Sequence, residues 1–163
     1  MTMQNRHIAV TLECFVRKKG KYLMLHRSKD KKILPGVWMA PGGHREFNEG
    51  LFACARREIF EETGLRIKNL QIKAQGNAYL HDVDKEFYFH FVFADYAGGK
   101  LKQNKKDGDL IWLTPKEIMK LDNVLTEIKE VAPYIFKKDK KVLSYKAVYE
   151  TGNKLSSLEI EKP

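Results

Sequence analysis

Residues 43–65 read G-H-R-E-F-N-E-G-L-F-A-C-A-R-R-E-I-F-E-E-T-G-L, and the rest of the chain is organised around them. Asn48 is placed to cap a helix, Glu49 falls in its first turn where a carboxylate favours the positive dipole end, and Gly64 stands where a helix stops. The expected helix covers residues 49–62. Along it Leu51, Phe52, Ala55 and Ile59 recur at helical spacing and are expected in the core, while Glu58, Glu61 and Glu62 stand at i, i+3 and i+4. Three carboxylates on one face repel and raise one another's pKa unless cations neutralise them. Oxygen ligands without histidine or cysteine suit Mg²⁺ or Mn²⁺, which keep waters and bind phosphates as well.

Outward from this run, residues 7–16 and 21–26 are β-rich and flank the basic, glycine-ended segment Arg17 to Gly20, which predicts a hairpin. A long loop, Lys29 to Pro41, carries Pro35-Gly36 and leads into Pro41-Gly42-Gly43, where adjacent glycines permit close backbone approaches. Residues 67–80 and 85–95 read as a further strand pair. In its second strand Phe87, Phe89, Phe91 and Phe93 alternate with Glu86, Tyr88 and His90, so the phenylalanine face is expected in the core and the other face free for a site. Leu110 to Leu113 reads as a strand. Thr114, Pro115 and Glu117 then supply the N-cap, N1 and N3 of a helix. A second helix is expected over Val124 to Phe136, with Pro133 near its end, and two tail strands around Glu150-Thr151-Gly152-Asn153.

Gly43, Glu49, Arg57, Glu58, Ile59, Glu61, Glu62, Gly64 and Leu65 match every position of G-x5-E-x7-R-E-U-x-E-E-x-G-U, where U is aliphatic. The run resembles the Nudix box. An isolated E-x-x-E-E would read as a solvated acidic face, whereas the complete box behind a glycine turn points to a metal site. The resemblance implies an α/β fold, the Nudix-type α/β/α sandwich with a mixed central sheet. It also implies one domain over residues 1–163, with a core over about 5–137 and C-terminal strands or a tail at 138–163.

By the same resemblance, Glu58, Glu61 and Glu62 coordinate the divalent cations together with a Gly42 or Gly43 carbonyl. Arg57 orients a metal-binding glutamate and Glu49 holds Arg57; an ordinary i,i+4 ion pair with Glu61 is compatible with that role. The implied reaction is attack of water on a phosphorus of a nucleoside diphosphate linkage. Leu23 to Gly43, Asp109 to Leu113 and the tail Tyr145 to Glu161 are similar to MutT-type enzymes, which convert oxidised purine triphosphates such as 8-oxo-dGTP to the monophosphate and pyrophosphate. Asp122 and Glu127 are the expected base-binding acids, in a region where that branch often has a tryptophan and this chain has none. Glu86 is a candidate further ligand or general base, with Asp107 and Asp109 as competitors and an exposed strand-end acid as the alternative. Trp38 reads as a packing residue. ADP-ribose, a dinucleoside polyphosphate and 5′-triphosphorylated RNA are the alternative substrates, and a nucleotide-sensing module without turnover is the alternative class.

Composition narrows the field further. Hydrophobic content of 43% with 31% charged residues fits a globular protein of one domain, and no apolar stretch approaches membrane-spanning length. The polar start, Met1 to Arg6, lacks a secretory h-region, so a cytoplasmic location is expected. Cys14 and Cys54 are expected to be reduced core thiols. The net charge of +9, from 30 Lys and Arg against 21 Asp and Glu, favours phosphate-bearing partners. Small nucleotides are favoured over nucleic acid, because the lysine runs lack interleaved aromatics.

Overall fold

A computed structural model describes residues 7–103 and 105–163. The expected hairpin is formed by β1 (Ile8–Lys18) and β2 (Lys21–Arg27), paired antiparallel. β3 (Trp38–Met39) adds to β2, and β4 (Gly42–His44) adds to β1. After helix α1 (Leu51–Thr63) come β5 (Leu65–Leu80) and β6 (Lys85–Gly99), antiparallel to each other, with β6 parallel to β1. β7 (Gly108–Leu113) returns to β2, followed by α2 (Pro115–Met119) and α3 (Thr126–Ile135). β8 (Leu143–Glu150) runs parallel to β5, and β9 (Lys154–Glu161) closes that edge. The order across the mixed sheet is β3-β2-β1-β6-β5-β8-β9.

Helices cover both faces of the sheet, giving the α/β/α sandwich. Leu12, Cys14 and Val16 of β1 join Val92 and Ala94 of β6 beneath Cys54, Ala55 and Ile59 of α1. On the other face Phe15, Phe91 and Tyr145 pack with Ile128, Val131 and Ile135 of α3. Strand parity assigns successive residues to opposite layers, which is why Thr11 to Val16 are all buried. Burying a side chain such as Ile59 is worth about 1.5–3 kcal/mol, so each layer is held by several contributions of that size.

Helix α1 begins later than expected, at Leu51, with Gly50 as N-cap and no side-chain cap. Asn48 instead takes a left-handed turn at φ 57°. Glu49 lies outside the helix because its carboxylate accepts from the Glu46 amide at 2.9 Å and binds Arg57. The helix phase turns Phe52 outward, 37% exposed, and gives its core place to Cys54. Gly64 ends the helix as expected, at φ 73°, with its N–H on the Phe60 carbonyl at 2.9 Å.

β6 departs from the expected one-sided pattern. His90, Val92 and Ala94 are buried as well as Phe87 and Phe91, because α1 covers the face opposite the phenylalanines. Thr114, Pro115 and Glu117 form the expected capping box of α2. Helix α3 starts at Thr126 rather than Val124. Residues 123–125 are tied to β3 instead, with Trp38 N–H on the Asn123 carbonyl at 2.8 Å and Leu125 N–H on the Trp38 carbonyl at 2.9 Å. Pro133 is accommodated inside α3 on its exposed side. The expected tail turn joins β8 to β9, and the Asp82 carboxylate accepts from Gly152 N–H at 2.9 Å and Asn153 N–H at 3.2 Å. Among the described residues no helix is long and apolar enough to cross a membrane.

Candidate active site

Arg57 organises the outer end of the site. Its Nε and Nη2 donate to the two Glu49 oxygens at 2.8 and 2.9 Å, a bidentate pair. Nη1 reaches Glu58 at 2.8 Å and Glu61 at 3.2 Å, and Nη2 also donates to the His44 carbonyl at 3.0 Å. These bonds to Glu49 and Glu58 raise the Arg57 pKa, and the same contact holds the Glu49 carboxyl down to about 2. One guanidinium therefore fixes the glycine-loop strand β4, the turn before α1 and two carboxylates of α1.

Two glycines bring β4 against these groups. A Cβ on Gly42 would overlap the Leu12 carbonyl of β1, and a Cβ on Gly43 would overlap the Glu58 carboxylate. The Gly42 N–H donates to Glu62 at 3.1 Å. Burial first, and the neighbouring Glu58 charge second, push the Glu62 pKa up to about 7. Among the described residues no three acidic, histidine or cysteine side chains yet converge on one point, because Arg57 engages both Glu58 and Glu61, and Glu61 is 58% exposed. The donor set nonetheless fits a hard dication. It is all oxygen, the glycine leaves room beside Glu58, and the Glu58 charge that adds to the effect of burial on Glu62 is one a cation relieves.

From these carboxylates a cleft of about 490 Å³ runs inward under the sheet edge. Glu58, Glu62, Gly42 and Gly43 line its mouth, with Arg27 and Lys31 among its cationic walls. Arg27 Nε donates to the Ile33 carbonyl at 2.8 Å, and Lys31 pairs with Asp107 at 2.6 Å, so the loop after β2 is pinned to the segment before β7. Burial lowers the Arg27 pKa. Deeper in, Phe87, Phe89, Leu34 and Met39 give apolar walls, and Thr11, Glu127 and Tyr149 give polar ones. Glu127 is 2% exposed, and its carboxylate accepts from the Tyr149 hydroxyl at 2.9 Å. Behind this floor Glu13, fully buried, accepts from Ala40 N–H at 2.9 Å, and burial pushes its pKa up to about 8.

The NUDIX domain model matches residues 5–135 of the chain. The chain belongs to the Nudix family. It is 41% identical over 69 residues to the m7GpppN-mRNA hydrolase NUDT17 of Xenopus laevis, a match covering 42% of this chain and 23% of that protein. It is 30% identical over 121 residues to the phosphatase NudJ of Escherichia coli K12, covering 71% of this chain and 74% of NudJ. In fold it is similar to a MutT protein from Bacillus halodurans, at a TM-score of 0.82 and 23% identity over 96% of this chain and all of that one. A MutT protein from Methanosarcina mazei Go1 superposes at a TM-score of 0.70, with 22% identity over 85% of this chain and 99% of that one.

Within this Nudix site, of the residues expected from the box, Glu49, Glu58 and Glu61 gather around Arg57, and Glu62 is held instead by the Gly42 amide. Glu127 also lines the cleft. Two other expected residues do not. Asp122 is exposed in the segment before α3, outside the cleft lining. Glu86 accepts from Asn77 Nδ2 at 2.7 Å and lies with His7, Tyr79, Asp84 and Lys85 in a separate depression. The cleft opens instead on the phenylalanine face of β6, because parity points Phe87 and Phe89 toward α3 and Glu86 away from it. Of its competitors, Asp107 lines the cleft in its pair with Lys31, and Asp109 is exposed on β7. Sequence reading missed Thr11, Glu13, Arg27, Lys31 and Tyr149. A threonine and a glutamate inside an otherwise apolar strand, H-I-A-V-T-L-E-C-F-V, were the available signal for the first two.

Proposed function

We propose that this Nudix hydrolase cleaves a diphosphate linkage in a nucleoside triphosphate or derivative, with an oxidised purine such as 8-oxo-dGTP giving the monophosphate and pyrophosphate. One observation carries the reading: a single cleft has the carboxylates of Glu58 and Glu62 and the cations Arg27, Lys31 and Arg45 toward its mouth, and aromatic walls with a polar floor at its inner end. Phosphates belong at the first and a base at the second. Mg²⁺ or Mn²⁺ would be held by Glu58 and Glu62, with Glu61 and a Gly42 or Gly43 carbonyl completing the set. When bound, it neutralises phosphate oxygens and acidifies water.

The chain's own residues do the positioning. Arg57, locked by Glu49, orients Glu58 and Glu61. The Gly42 amide holds Glu62 where it faces the phosphates, and Arg27 and Lys31 supply positive charge along the wall. The water oxygen forms the new bond to phosphorus, the bridging P–O bond breaks, and the water proton is released as pyrophosphate leaves. Glu127 is assigned to the base, while Asp122 and Glu86 are left outside the machinery.

A screen of nucleoside triphosphates, ADP-ribose, dinucleoside polyphosphates and RNA 5′ ends with Mg²⁺, with product identification, tests the reading. The expected outcome is a higher kcat/KM for 8-oxo-dGTP than for dGTP. A much higher kcat/KM for ADP-ribose or an RNA end replaces the substrate and keeps the hydrolase. Nucleotide binding without turnover replaces it with a sensing module.

A further inference from the structure

β1, β2, β5 and α3 each line the cleft at one end and carry basic residues at or just beyond the other. The run from Leu12 to Lys18 alone spans about 20 Å at the rise of an extended strand, so this second pole lies well away from the cleft. Lys19 and Lys21 come from the β1–β2 turn, Lys68 from the start of β5, and Lys138, Lys140 and Lys141 from the segment after α3; all are exposed. Tertiary contacts bring these segments together. Arg17 of β1 donates to Asp95 of β6 at 2.7 and 2.9 Å, and Lys68 is near enough to lower the pKa of the same carboxyl. Lys73 and Gln71 of β5 donate to the Asp139 carbonyl at 2.8 and 3.0 Å, and Phe136 packs on Tyr22 with ring centroids 5.2 Å apart. The acids of the pole are already engaged: Asp95 by Arg17 and by Asn69 at 3.0 Å, Asp139 by Lys73 at 3.0 Å, and Glu117 in the capping box of α2. Among the described residues none of the exposed lysines just named takes part in an ion pair. Like charges gathered in this way repel, and an anionic partner relieves them.

We propose that this pole is a binding site for single-stranded nucleic acid, separate from the cleft and independent of what the cleft hydrolyses. The lysine runs carry no interleaved aromatics along the sequence, but the fold supplies aromatics from other elements. Lys18 Nζ lies 4.0 Å from the ring centroid of Tyr96 on β6 and 5.8 Å from that of Trp112 on β7. On the other layer Lys137 Nζ lies 5.7 Å from the ring centroid of Tyr134 on α3, a residue 44% exposed. Cations beside aromatic rings are the combination that holds an unpaired strand, because the cations track its phosphates and the rings stack on its bases. A duplex keeps its base faces covered and would engage the lysines alone. A single nucleotide reaches only part of a surface built from the β1–β2 turn, β5 and the segment after α3, whereas a strand crosses all three. Because the pole and the cleft lie at opposite ends of the same strands, a bound strand leaves the cleft open to small nucleotides.

The test is fluorescence anisotropy with a labelled single-stranded RNA of about 12 nucleotides, a length within the site sizes of single-strand binders. Wild type is expected to bind it with an affinity that falls as salt rises. Lys138→Glu/Lys140→Glu is expected to weaken binding at least ~10-fold and to reduce the slope of log affinity against log salt by about 1.4, the share of two phosphates, with melting temperature and nucleotide turnover as in wild type. Lys85→Glu/Lys154→Glu makes the same change of net charge at the cleft end of the strands and is expected to leave RNA binding within about twofold. Tyr134→Ala is expected to weaken RNA at least ~5-fold, the scale of one lost base stack, and to leave inorganic polyphosphate, which has charge without bases, unaffected. Absence of RNA binding by wild type at low salt overturns the proposal, as do equal losses in the two lysine pairs. Binding of polyphosphate or of phosphatidylserine vesicles without binding of RNA also overturns it, in favour of a general polyanion site or a membrane surface.

Discussion

The two ends of the cleft are built in opposite ways. At the mouth, Arg57 alone makes bonds to Glu49, Glu58, Glu61 and His44, and nearly all of these groups lie within the span Gly42 to Glu62. At the floor, Thr11, Glu13, Glu127 and Tyr149 come from three distant parts of the chain, and Glu127 is held there by the Tyr149 hydroxyl at 2.9 Å. The mouth is thus pre-arranged by bonds it makes to itself, as electrostatic catalysis requires. The floor is assembled from segments far apart in the chain around buried polar groups.

The largest expected effect is at the mouth. Excess EDTA abolishes turnover, and Glu62→Gln lowers kcat by at least ~100-fold, a loss on the scale of a preorganised electrostatic contact. Glu61→Gln lowers it less, because Glu61 is 58% exposed and turned toward Arg57. Steady-state assays with and without chelator check this, and a wild-type rate for Glu62→Gln breaks the contrast between the two ends.

Next comes Gly43→Ala, which drives a methyl group into the Glu58 carboxylate. The expected result is a ~10–100-fold fall in kcat with an unchanged preference among bases, since misplacement at the chemistry does not touch the floor. A change of base preference in this variant would show that the two ends are not separable.

Glu13→Gln sharpens the comparison from the other side. The folded pKa of Glu13, about 8, lies above its unfolded value of 4.5, so its contribution to stability is full below about pH 4.5 and is lost as pH rises through about 8. Denaturant titrations at pH 5 and pH 9 in EDTA are expected to show wild type losing about 2–4 kcal/mol more than Glu13→Gln over that interval. Glu62, at about 7, contributes in the same direction in both proteins, and Mg²⁺ is expected to remove its share. Parallel pH dependences in wild type and variant would contradict a buried, shifted Glu13.

The smallest effect is expected at Glu86, whose partner is Asn77 and which stands outside the cleft lining. The rate of Glu86→Gln should stay within about threefold of wild type, the range expected of a side chain that touches no reacting group. A strong loss of kcat with a flattened acidic limb of the pH profile would return it to the chemistry.

The sequence by itself determined the acidic side of the mouth of the cleft, though not its cations Arg27 and Lys31. Glu49, Arg57, Glu58, Glu61, Glu62, Gly43 and Gly64 act over distances of a helix turn or a short loop, so fixed spacing carries their geometry, and the bidentate Glu49–Arg57 pair follows the motif. It also determined the hairpin β1–β2, the capping box of α2 and the strand periodicity of β5 and β6, which are local properties as well. Local signals were less certain where tertiary contacts compete. Asn48 gave up the cap of α1 because Glu49 is drawn out to Arg57, and α3 starts late because residues 123–125 pair with Trp38.

Only the tertiary structure decided which face of β6 the cleft uses. Alternation shows that Glu86 and Phe87 point oppositely, but which layer is sealed depends on where α1 and α3 dock. Thr11, Glu127 and Tyr149 meet only through the parallel pairing of β1 with β6 and of β5 with β8, contacts between segments separated by scores of residues. No residue spacing encodes such a meeting. The floor exists because a sheet of this strand order brings β1, α3 and β8 to one point and excludes water from it.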